Sequence, residues 1–173
     1  MEEGLLMNTG KIMTSKDILL LLLYVPGATG KRQEAIHGRS RLQKMVFLFE
    51  KEVYKKFQFD RLIDEKDLPV FVPMYFGPYA GHVFDDLDFL WNLNFVSIRQ
   101  APDEQEADDY LYWLKETGLS DEASVSSFEV DAFNLTGLGT NFVEEHLIPY
   151  LSQQQYNALE VLKRNCTKVT LHQ

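Results

Sequence analysis

The chain has 173 residues, 45% hydrophobic and 25% charged. This is the mix of one folded domain, or of one domain with a small appendage, and it excludes disorder or a collagen-like repeat as the main state. The single cysteine, Cys166, excludes an intrachain disulfide framework and a cysteine-built metal site. A net charge of −9 argues against nonspecific coating of nucleic acid, where neutralisation of phosphates supplies most of the affinity.

Residues 1–13 read as a flexible leader. Glu2 and Glu3 stand where a secretory signal would be basic, so the expectation is a cytoplasmic chain. Thr14 or Ser15 can cap a first helix, with Asp17 in its first turn. That helix contains the longest apolar run, eight residues over 18–25, far short of the ~20 a membrane span needs. Pro26-Gly27 stops it, and a polar loop to Gly38 follows.

A second helix is predicted over 39–56. At 100° per residue, Leu42, Met45, Val46, Phe49 and Val53 share one side. Arg39 opens the helix, and Arg41, Lys44, Lys51 and Lys55 gather opposite the apolar side. The segment 31–61 holds nine basic and four acidic residues, a net +5 that leaves the remainder at −14. Phe47 and Leu48 interrupt the polar side and call for a loop or a partner to cover them.

Residues 70–75 suggest a short strand, kept off a central ladder by Pro73. Gly77-Pro78 then opens a third helix to about 93, with Pro78 at its first position. Tyr79, Val83, Leu87, Leu90 and Trp91 form its apolar face, opposite Asp85 and Asp88. Strands are expected over 95–99, 110–114 and 128–135, with a solvated acidic loop at 103–109. Thr136 caps a helix to about 147. Ser152 and Gln155 form a capping box that starts a last helix. Leu20, Leu21, Phe49 and Leu87 are predicted core residues.

Three stretches carry a family resemblance: 38–48 (GRSRLQKMVFL), 75–79 (YFGPY) and 83–87 (VFDDL). The pattern resembles the YwgA-like proteins of bacteria and archaea. It is similar, more distantly, to the Panacea domain of SocA-type antitoxins. Residues 133–136 (FNLT) look like the close of a winged-helix domain. The resemblance spans about residues 14–150. It implies an α+β, winged-helix-like fold of three helices and a small β wing, with residues 151–173 as a C-terminal helical extension. Where such proteins often continue threonine-x-lysine-glycine, this chain has Thr136-Gly137-Leu138-Gly139, so a basic contact is missing.

Chemical motifs are sparse. Residues 27–32 look like a phosphate-binding loop but lack its first glycine, its Ser or Thr for magnesium, and a preceding strand. The four histidines show no metal spacing. His82 with Asp85 or Asp86 could orient a proton shuttle, though a surface histidine beside acids is the plainer account. No catalytic group, metal or cofactor is expected.

The candidate binding residues are Arg39, Arg41, Lys44, Lys51 and Lys55. Their plain role is a solvated face; their functional role is contact with phosphates or an acidic partner. Gly77, Pro78 and Tyr79 form a rigid turn that packs Tyr79 inward, or else an anion site at a helix start. The sequence points to a non-enzymatic regulatory or interaction protein, antitoxin-like or accessory, with an acidic protein surface as partner. A winged-helix transcriptional regulator bound to DNA is the rival. A membrane is not expected as partner, and a homodimer is left open.

Overall fold

Thr14 turns the chain into the first helix through a reciprocal cap, its backbone N–H donating to Asp17 Oδ2 at 2.8 Å. The structure, a computed structural model, describes residues 11–74, 77–102 and 129–168. The predicted 110–114 strand, the 103–109 acidic loop and Tyr75-Phe76 lie outside these residues.

Helix α1 (Ser15–Tyr24) is buried along nearly its whole length, and every residue from Ile18 onward is core. A run of leucines with no polar side can only form a helix covered on all flanks. It ends where Val25, held extended before Pro26, cannot continue the helix. Met13, assigned to the leader, is instead fully buried and bridges Ile63. Its N–H donates to Leu62 O at 2.9 Å, so Met13 packs with the core ahead of the first helix.

The loop to Gly38 contains a strand that sequence patterning overlooked, β1 (Ile36–His37). Two residues are too few to show alternation. Gly38 then turns at φ 96°, which its missing Cβ allows, and its N–H donates to Asp131 O. Helix α2 (Arg39–Leu48) runs into a π-helical turn, Phe49–Val53, so the predicted regular helix over 39–56 is shorter and shifted in phase at its end.

Two short strands, β2 (Val72–Met74) and β3 (Gly77–Tyr79), pair antiparallel with Pro73 opposite Pro78. Pro78 therefore sits in a strand rather than at a helix start. Helix α3 (Gly81–Asn92) begins only after Ala80. A proline cannot donate, so the Pro73–Pro78 pair turns its backbone outward and leaves both edges without a donor there.

Strands β4 (Val96–Pro102) and β5 (Glu129–Leu135) complete a three-stranded antiparallel sheet in the order β1-β5-β4. Thr136 caps α4 (Gly137–His146), accepting from Gly139 N at 3.0 Å. A Cβ at Gly139 would collide with the Phe95 carbonyl, so this glycine lets α4 approach the start of β4. Helix α5 (Gln153–Lys168) starts from the predicted Ser152–Gln155 box. Its Leu159 and Leu162 join Leu20, Leu21, Phe49 and Leu87 in one core. The architecture is mixed α+β, with five α-helices and two small antiparallel sheets among the described residues.

Candidate interaction surface

One hydrogen bond ties the first motif stretch to the residue that follows the second. Gln43, buried in α2, accepts the Ala80 N–H through Oε1 at 2.6 Å. Ala80 is the cap residue of α3, so a side chain of α2 occupies a donor at the start of α3. That takes up one of the donors a bound anion could use at the Gly77-Pro78-Tyr79 turn. Tyr79 itself does not pack inward: it is 37% exposed and rests against Phe84, with ring centroids 6.2 Å apart.

The five basic candidates do not form one face. Arg39 pairs with Asp131 at 2.8 Å and lays its guanidinium over Phe84 and Phe133, binding α2 to the sheet. Arg41 is buried, a correction to its expected solvent position, and donates to His37 O at 2.6 Å. It stands at the edge of the apolar arc, only about 40° from Met45, where the turn after β1 closes over it. Lys44 is half-buried. Lys51 and Lys55 are exposed, and the π-helical turn places them in a different phase from α2.

Lys51 marks the most distinctive surface. Its Nζ lies 5.6 Å above the Phe47 ring. Phe47 meets Phe71 edge-on at 5.3 Å, so the loop before β2 covers one side of this ring. Phe47 and Phe71, with Val72, Pro73, Met74, Gly77 and Pro78, line a groove of about 340 Å³. Val72 and Met74 are 47% and 45% exposed on β2, and Val70, 82% exposed, precedes it. Glu50, one turn from Phe47, is half-buried, and its Oε2 has no hydrogen-bond partner among the described residues. Burial pushes its carboxyl up to about 7.

A second groove of about 580 Å³ runs between the π-helical turn and α5. Leu48 lines it, so the other interruption of the polar side faces α5. Glu52 and Lys56 both stand at its rim, and the opposed charges favour no sign of partner.

Elsewhere the geometry is structural. Asp86, not Asp85, meets His82, with Nε2 3.3 Å from Oδ2. Ser15 Oγ donates to the same Oδ2 at 2.6 Å, and Lys16 Nζ lies 3.4 Å from Oδ1. A relay needs the imidazole between acid and hydroxyl, one nitrogen to each. Here the serine proton goes directly to the acid, and a single imidazole nitrogen faces both groups. The cluster anchors α1 to α3. In the loop at 27–32, the Glu34 carboxylate accepts from Thr29 N and Thr29 Oγ1, filling the space a phosphate would need. Burial raises the Cys166 thiol, the reverse of an activated nucleophile.

Lys163 was not foreseen. It is fully buried and donates to Val25 O at 2.8 Å, Glu34 O at 2.7 Å and Leu23 O at 3.4 Å. It satisfies carbonyls where α1 ends and ties the following loop to α5. Desolvation lowers its amine to about 7. Among the described residues, no group of three or more His, Cys, Asp or Glu is placed to hold a metal ion, and no helix is long and apolar enough to cross a membrane.

In comparison with known proteins, no family model, curated protein or solved structure matches the chain.

Proposed function

We propose that the chain is a non-enzymatic regulatory protein, built on a winged-helix-like core, that acts by docking a partner protein in the groove of the β2–β3 hairpin. With the β2–β3 hairpin read as an insertion between α2 and α3, the remaining order of helix, strand, helix, helix, strand, strand supports the winged-helix description, as does a sheet ordered β1-β5-β4. The observation that carries the docking role is the groove itself: exposed Val72 and Met74 beside Phe47, with the Lys51 ammonium on that ring. An apolar pocket with a cation at its rim suits a partner that inserts an apolar side chain flanked by carboxylates. The proline pair deprives both hairpin edges of donors, so recognition runs through side chains rather than strand addition. An antitoxin-like or accessory role follows from the resemblance to YwgA-like and Panacea proteins.

DNA reading is disfavoured on charge. Arg41 is buried, Arg39 is held by Asp131, and α3 offers carboxylates where a recognition helix would meet phosphates. The test is native co-purification with identification of the bound protein, run beside retention on immobilised duplex DNA at low and moderate salt. We expect a stoichiometric protein partner that Lys51→Glu weakens. Salt-sensitive DNA retention without a protein partner would reverse the assignment.

A further inference from the structure

We infer a second docking surface, on α3, whose occupant is a basic protein surface. It lies apart from the hairpin groove and does not rest on that groove's role. Around α3 the buried residues Val83, Asp86, Leu87 and Leu90 face the core. On a wheel of 100° per residue, the opposite arc carries Asp88, Asn92 and Asp85 in a ridge. Phe89 and Leu93 flank the ridge on one side and Trp91 on the other. Phe89, Trp91 and Leu93 are 49%, 52% and 45% exposed. Trp91, expected on the apolar face, stands about 40° beyond Leu87, outside the buried arc.

The charge that α3 itself contributes is acidic, although Lys16 lies over Phe89 and Arg39 over Phe84. Helix α3 contains no lysine or arginine. The nearby Lys16 is paired with Asp86 at 3.4 Å and sits over Phe89 at 5.0 Å, which leaves Asp85 and Asp88 uncompensated by it. Exposed aromatics beside an acidic ridge have the composition of an interface core and its charged complement. Lysines and arginines of a partner would meet the two carboxylates, and their aliphatic stems or neighbouring apolar side chains would cover Phe89 and Trp91. A nucleic acid would be repelled by the same ridge.

The probes are two dye-labelled helical peptides, one of Lys and Leu and one of Glu and Leu, titrated by fluorescence anisotropy at low and moderate salt. The full chain is compared with Asp85→Asn/Asp88→Asn, Trp91→Ala, and the charge-matched control Asp60→Asn/Glu145→Gln, with each variant's thermal midpoint measured. We expect the basic peptide to bind, both α3 variants to weaken it about tenfold without changing the response to the acidic peptide, and the control to stay within about twofold. Val72→Asp should leave this binding unchanged, which separates this surface from the hairpin. No binding of the basic peptide, equal losses in the control and α3 variants, or duplex DNA binding that the α3 variants abolish would overturn the inference.

Discussion

Gln43 illustrates how a polar side chain can fix a fold. It is buried, and its amide oxygen takes the Ala80 N–H at the start of α3. Gln43→Leu would leave that donor buried without a partner, at a cost of about 1–3 kcal/mol. The measurement is chemical denaturation, and a Gln43→Glu variant should recover part of the loss by restoring an acceptor. Lys163 poses a different problem, because its burial disfavours the charged amine. With the folded value near 7 and the ordinary value at 10.5, the unfolded chain binds the extra proton between them. The cost of burying this amine is therefore full below about pH 7 and is relieved as pH rises from 7 toward 10.5. The slope is at most about 1.4 kcal/mol per pH unit. Lys163→Met should abolish that rise between about pH 7 and 8.5, the upper bound being where an unfolded thiol begins to ionise. Glu50 acts in the opposite sense below neutrality. Its raised carboxyl holds a proton in the fold that the unfolded chain has released, so stability falls from about pH 4.5 to 7, and Glu50→Gln should flatten that limb.

At the scale of elements, helix periodicity was legible wherever a cap and an apolar stripe coincided. Thr14, Thr136 and the Ser152–Gln155 box each start a helix where the sequence predicts one. Legibility failed where a tertiary partner outweighs local preference. Pro78 suits a first helical turn, yet it pairs with Pro73 in a strand, and the helix starts at Gly81 after Gln43 accepts the Ala80 N–H. The basic face was drawn on an ideal wheel, and neither the π-helical turn nor the burial of Arg41 has a local signature. The groove was half visible: Phe47 signals a missing cover and Lys51 lies one turn away, but the pairing with Phe71 depends on a contact across the fold. Gly139 supplies an element-scale test. Gly139→Ala must push α4 away from the Phe95 carbonyl, and we expect a loss of about 1–3 kcal/mol by denaturation. Leu87→Ala, in the same core, should cost about 2–5 kcal/mol.

Across the whole molecule, charge and apolar exposure are sorted together. The hairpin groove carries Lys51 beside aliphatic side chains, whereas α3 carries Asp85 and Asp88 beside aromatics. The net charge of −9 is spread unevenly along the chain, with +5 in residues 31–61. The central claim is that the hairpin groove docks a protein. It is tested most directly by isothermal titration of the co-purifying protein into the wild-type chain and into Val72→Asp/Met74→Asp. Both residues are exposed, so the variant should keep its thermal midpoint while its affinity falls about thirtyfold or more, the loss of an interface anchor. An unchanged Kd in a folded variant would contradict the account.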